Sequence, residues 1–100
     1  MSAQFTERSE RKLLREFDPA LIFMYYVYVL KNKQSNELYY GYTDNLERRC
    51  REHNMHQEWN LLYYEAYLSS KDARVREMKL KDYGQTRTHL KKRISESITM

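Results

Sequence analysis

Tyr25-Tyr-Val-Tyr-Val-Leu30, the polar stretch Asn32-Lys-Gln-Ser-Asn36 and the returning Glu37-Leu-Tyr-Tyr-Gly-Tyr42 decide the fold. The first six residues are β-branched, aromatic or aliphatic, which reads as a strand. A turn and a second Tyr-rich strand then make a hairpin. Side chains alternate along a strand, so the turn length decides whether Tyr28 and Tyr39 share a face. An even-length loop, such as Asn32 to Ser35, places them directly opposite. A three-residue loop splits them unless a bulge restores the register. Gly41 permits a sharp turn or a close approach to a ligand.

Outward from the hairpin, Asp44 reads as a helix N-cap with Glu47 three residues on, a capping-box arrangement. That helix runs to about Asn54, with Arg48, Arg49 and Arg51 spread around it. Residues 55–59 lead to a third strand, Asn60 to Leu68. Ser69 or Ser70 caps a helix from about Lys71 to Tyr83, with Ala73, Met78 and Leu80 as its apolar positions. Gly84 reads as its left-handed stop. Arg87 to Ile94 is a short helix resting on Leu90 and Ile94. The order ββα-β-αα implies an α/β (α+β) fold, a small three-stranded antiparallel sheet flanked by helices.

Residues 1–23 differ in character. Leu13, Leu14 and Phe17 recur at helical spacing within a charged stretch, and Asp18-Pro19 closes it. This reads as an N-terminal helical extension to a single domain at 24–100 with a basic C-terminal segment. It packs on that domain or on a second copy, so a homodimer through the arm is one expectation.

A 100-residue chain that is 41% hydrophobic supports one domain with a thin core. Its net charge of +4 fits a phosphate-bearing partner without demanding one. A single cysteine, Cys50, excludes an internal disulfide and points to a reducing compartment. No apolar run approaches the ~20 residues of a membrane span. The N-terminus has no hydrophobic signal core, so a cytoplasmic protein without membrane partners is expected.

Arg49 and His53 are four apart and project from one helix face, with Leu46 and Cys50 on the neighbouring stripe. An arginine fork grips phosphate oxygens, and an imidazole relays or positions a proton. Glu77 lies one turn after Ala73 and one before Leu80, a partly inward carboxylate that needs a cation or donors. Each residue also has an ordinary explanation. The tyrosines pack on a sheet, Arg49 is a solvated charge, His53 is structural, and Glu77 pairs with Arg74 or Lys81. Cys50, His53 and His56 are zinc-ligand types without a fourth partner. Lys91-Lys92-Arg93 reads as a solvated face, or else as a contact to a DNA backbone.

Tyr26-Val-Tyr28, ten intervening residues, Tyr39-Tyr-Gly41, then Leu46, Arg49, His53 and Ala73 through Glu77 together resemble the GIY-YIG nuclease module. The resemblance spans Tyr25 to Tyr83. It is nearest to short stand-alone bacterial members, themselves similar to the N-terminal nuclease domain of UvrC. It implies a metal-dependent endonuclease acting on branched, flapped or damaged DNA in repair or recombination. Tyr28 is then the general base, and Tyr39 contacts the scissile phosphate or the attacking water. Arg49 stabilises transition-state charge, and His53 orients the nucleophile or assists Tyr28. Glu77 is the sole protein ligand of one Mg²⁺ (or Mn²⁺), with waters completing the shell. A phenol titrates near 10, so a basic Tyr28 needs a cation to help ionise it.

Three positions depart from the family pattern. Tyr26 replaces a Gly, Tyr42 stands where many relatives carry Lys, and the connection after His53 is short. The alternative is a nucleic-acid-binding module that keeps the fold without cutting.

Overall fold

Strand β1 (Tyr25–Asn32) is apolar on both faces, and the structure places it in the middle of the sheet. In the computed structural model, which describes residues 23–100, Val27, Tyr28, Val29 and Leu30 are all buried. The expected helical extension lies outside the described residues, apart from Phe23. Strands β2 (Leu38–Thr43) and β3 (Trp59–Tyr67) flank β1, in the antiparallel order β2-β1-β3. The expected α+β architecture is the one observed.

Asn32 builds the hairpin turn. Its buried side-chain oxygen accepts from the backbone N–H of Gln34 and Ser35 at 2.9 and 3.0 Å. Its amide nitrogen donates to Gln57 at 2.8 Å, tying the turn to the connection before β3. Asn36 takes the left-handed conformation at φ 64°, which asparagine tolerates better than most residues. The resulting register pairs Tyr28 with Gly41 and Leu30 with Tyr39. Tyr28 and Tyr39 are therefore diagonal neighbours on one face, neither directly opposed nor split.

One face of the sheet presents Val27 and Val29 to helices α2 (Ser70–Asp82) and α3 (Gly84–Arg93). Ala73 and Leu80, seven residues apart, and Leu90 with Ile94 complete that core. Ile98, on the short α4 (Ser95–Thr99), packs at its margin. The other face carries α1 (Leu46–His53), which has no fully buried residue. A bulge at Val29/Leu30 leaves Leu62 as the extra residue of β3, so Leu62 and Tyr63 both reach the core side.

Three local expectations need correcting. The cap of α1 is Asn45, whose side chain accepts from Arg48 N–H at 3.0 Å, and not Asp44. The Thr43 hydroxyl accepts from Asn45 N–H at 3.0 Å and sets the helix start one residue later. Glu47 then sits too early to close a capping box, and Asp44 instead pairs with Arg48. Gly84 is not a left-handed stop, because no glycine has positive φ and Gly84 opens α3. Arg87 caps α2 instead, donating to the carbonyls of Leu80 and Lys81 at 2.8 and 2.7 Å. Met78 is 46% exposed, and the half-buried places between Ala73 and Leu80 go to Arg76 and Glu77.

Arg76 makes a two-pronged contact with Glu65 on β3, at 3.0 Å for each nitrogen–oxygen pair. Tyr63 and Tyr67 donate to the same carboxylate. Burial pushes the Glu65 carboxyl up, but the hydrogen bonds from Arg76 and the two phenols outweigh it and hold it below its ordinary value. Arg76→Met should cost about 2 kcal/mol, less than the ~3–5 of a fully buried pair because both groups keep some solvent contact. Urea melts check this. Glu65→Leu in the same chain should recover most of the loss, since no carboxylate is then left unpaired.

Candidate active site

Tyr28 points from the centre of the sheet toward β2, and its ring lies directly over Gly41. A Cβ added at Gly41 would stand 2.4 Å from the Tyr28 Cζ and hydroxyl oxygen. The glycine is thus required as a space for the ring, which corrects the expectation of a sharp turn there. Tyr28 is 0% exposed. Its hydroxyl lies 3.0 Å from His53 Nε2, at the end of α1.

Tyr39 and His53 close over this pair. Ring centroids are 6.2 Å apart for Tyr28 and Tyr39, and 4.7 Å for Tyr39 and His53. Arg49, one turn before His53, bonds Glu52 at 3.0 Å and keeps its charge beside both phenols. Glu52 first, and then Tyr28, hold it firmly in the charged form.

The electrostatics assign the proton. Burial pushes the Tyr28 phenol up to about 12, and Arg49 offsets only part of that. Burial, and then the Arg49 charge, hold His53 below its ordinary 6.5. A neutral imidazole has one acceptor nitrogen, and in the tautomer with hydrogen on Nδ1 the Tyr28 hydroxyl donates to Nε2.

Glu77 is reached by a different route. It sits on α2, its side chain 23% exposed, with Lys81 Nζ at 3.2 Å. The same ammonium lies 5.9 Å from the centre of the Tyr39 ring. Tyr28, Tyr39, Arg49 and His53 form one cluster, and Glu77 joins it through Lys81 at the edge of β2. Along that edge runs a cleft of about 570 Å³, lined by Arg48 and Arg49 of α1 and Arg74 of α2. Arg74 also covers the Tyr42 ring at 4.7 Å, so a cation stands beside the position where the second motif lacks one.

Sequence reasoning missed Trp59, whose ring lies 6.1 Å from those of both Tyr39 and His53. It weighed Lys81 only as an ordinary helix partner of Glu77. The four-residue spacing was a signal for that pair, but no local pattern reports contact with Tyr39.

Among the described residues, no three His, Cys, Asp or Glu side chains gather to hold a metal ion. A lone carboxylate is still adequate for Mg²⁺, which keeps several waters and takes one or two carboxylates with substrate phosphates. Glu77, sheltered and held by one ammonium, fits that donor set.

The catalytic domain of the GIY-YIG family matches residues 24–93, from the start of the hairpin to the end of α3. The chain belongs to the GIY-YIG family. No curated protein and no solved structure matches it. As a GIY-YIG catalytic domain it is a nuclease-type module, with a nucleic acid as its implied substrate. No helix among the described residues is long and apolar enough to cross a membrane. In this GIY-YIG domain the two motif tyrosines stand on adjacent strands, and α1 brings Arg49 and His53 over them.

Proposed function

We propose that this GIY-YIG domain is a metal-dependent endonuclease that hydrolyses phosphodiester bonds in DNA. One observation carries the reading: a buried tyrosine hydroxyl stands 3.0 Å from a histidine ring nitrogen, beneath a second tyrosine and an arginine.

A phenol titrating at about 12 is almost never ionised at neutral pH, so a free phenolate is a poor description of the base. A relay avoids it. Tyr28 passes its proton to His53 Nε2 as it accepts one from water. The water oxygen then bonds to phosphorus as the bond to the departing strand breaks, the leaving oxygen taking a proton from solvent water. Arg49 exchanges Glu52 for a non-bridging phosphate oxygen, and the Tyr39 hydroxyl donates to the same group. Moving Arg49 toward phosphate also opens the cover over Tyr28. Glu77 would hold Mg²⁺ (or Mn²⁺), which when bound offsets the charge of the phosphate.

The relay needs neutral His53, which sets a pH dependence. Single-turnover cleavage should be flat near neutrality and fall toward about tenfold per pH unit once His53 protonates, below its ordinary 6.5. Stability follows the same sign. A lowered histidine pKa contributes stability present above 6.5 and lost as pH falls through the folded value. His53→Ala should lack the acid limb.

The rival reading, binding without cleavage, draws on the full enclosure of Tyr28 and the pairing of Glu77 with Lys81. A cleavage panel of duplex, flap, junction and single-stranded DNA, with and without Mg²⁺, separates the two. Cutting of flaps or junctions above duplex supports the proposal, and binding without cutting across several divalent ions supports the rival. A repair or recombination role, by resemblance, completes the proposal; the lone cysteine supports a reducing, cytoplasmic setting and the charge a phosphate-bearing partner. The match beginning at residue 24 supports a division into an extension and a catalytic domain. Dimerisation through that extension is supported by the spacing of Leu13, Leu14 and Phe17, and light scattering of a chain lacking residues 1–23 tests it.

A further inference from the structure

The two sides of α1 are lined differently, one by arginines and the other by aromatic rings. One side is the arginine cleft along β2. On the other, no described residue covers the β3 half of the sheet, and a groove of about 730 Å³ opens there. Tyr26, Leu61 and Tyr64 line it, and it reaches Trp59. Leu61 is 42% and Tyr64 52% exposed, with the Tyr26 ring edge-on to Tyr64 at 5.9 Å. Asp44, Glu47 and Arg51 also line it, the last two paired at 3.3 Å. An aromatic floor of this kind accepts a planar, apolar group.

Trp59 connects this groove to the candidate active site, because its ring neighbours Tyr39 and His53. A nucleotide whose phosphate lies at Tyr39 and Arg49 can therefore place an adjacent base against Trp59. We propose that the floor of this groove stacks unpaired nucleobases next to the scissile phosphate, Trp59 meeting the nearer base and Tyr64, beyond Leu61 along β3, the next. A base inside a duplex is stacked on its neighbours and cannot enter. The substrate class is then DNA with an unpaired nucleotide beside the cut: a flap, a branch or a single strand. Two departures of this chain from the family pattern meet here. Tyr26, in place of a glycine, adds a ring to the groove, and the short connection from Asn54 to Trp59 does not close over it. The position of the phosphate rests on the nuclease reading, but base binding in the groove can be measured without cleavage.

Trp59 is the single tryptophan of the chain, so its fluorescence reports the groove directly. The full chain is titrated in EDTA with a single-stranded oligodeoxynucleotide, and separately with a blunt duplex carrying the same number of phosphates at the same salt. The single strand should quench Trp59 in a saturable way, and the duplex should not. Tyr64→Ala should weaken single-strand binding about tenfold and change duplex binding less than about twofold. Equal quenching by both, no quenching, or an equal loss of both affinities would overturn the proposal. So would fluorescence that changes with protein concentration alone or on removal of residues 1–23, since a second copy or the chain's own extension would then fill the groove. Quenching in a protein that cuts nothing would sink the nuclease reading and leave the base site standing. Cutting with no Trp59 response would do the reverse.

Discussion

Tyr28→Phe is expected to slow cleavage by about 10²–10⁴-fold with almost no change in fold. The substitution removes one hydroxyl from a ring that stays enclosed between Gly41, Tyr39 and His53. The loss in stability should be about 1 kcal/mol, the net worth of its hydrogen bond to His53. Water then has no path for its proton to Nε2. Because Tyr28 and His53 act as one relay, the Tyr28→Phe/His53→Ala chain should be little slower than the worse single variant. Single-turnover rates on a flap substrate measure both effects. A Phe variant within threefold of the parent rate would remove Tyr28 from the mechanism.

Gly41→Ala should be far more damaging than Gly84→Ala, where an added Cβ meets only the Arg87 side chain at 3.5 Å. The Cβ at Gly41 would stand 2.4 Å from the Tyr28 Cζ and hydroxyl oxygen. The ring cannot yield easily, since Tyr28 sits on the central strand with no exposed surface. Overpacking of this kind costs about 1–3 kcal/mol or more. Whatever relieves the clash also moves the hydroxyl away from His53, so cleavage should fall about as far as in Tyr28→Phe. The effect should be coupled to the ring. In a Tyr28→Ala background, Gly41→Ala should cost at least about 1 kcal/mol less, measured by urea melts of the four chains of a double-mutant cycle. Additive losses would mean that the ring and the glycine are not in conflict.

The hairpin, the third strand and the main helices were legible because alternating aromatic and β-branched residues report burial on a sheet. Ala73 and Leu80 report α2 in the same way. The offset that makes Tyr28 and Tyr39 diagonal was not legible. It depends on Asn32 holding the turn and on the left-handed Asn36, which together set the register. The helix caps failed for a related reason. Asp44 and Asn45 are both good caps, and the Thr43 hydroxyl chooses between them through a bond that no propensity contains. Gly84 looked like a stop because the carbonyls of α2 had no visible partner, and Arg87 supplies it from the next helix.

Within the candidate site, spacing placed Arg49 and His53 on one face of α1, and the structure sets both against the tyrosines. It carried no information on Trp59, which reaches Tyr39 and His53 only because the connection after α1 is short and β3 pairs beside β1. Nor did it say that Lys81 stands between Glu77 and Tyr39. These contacts belong to the tertiary fold.

The most direct test of the central claim is cleavage of a flap substrate by the parent chain and by Glu77→Ala, each measured over a Mg²⁺ titration. The account predicts cutting by the parent that rises with Mg²⁺ and is absent in EDTA. It predicts a Glu77→Ala chain that still binds DNA but cuts at least about 10²-fold more slowly. Cleavage by the parent in EDTA, or undiminished cleavage by Glu77→Ala, would contradict it.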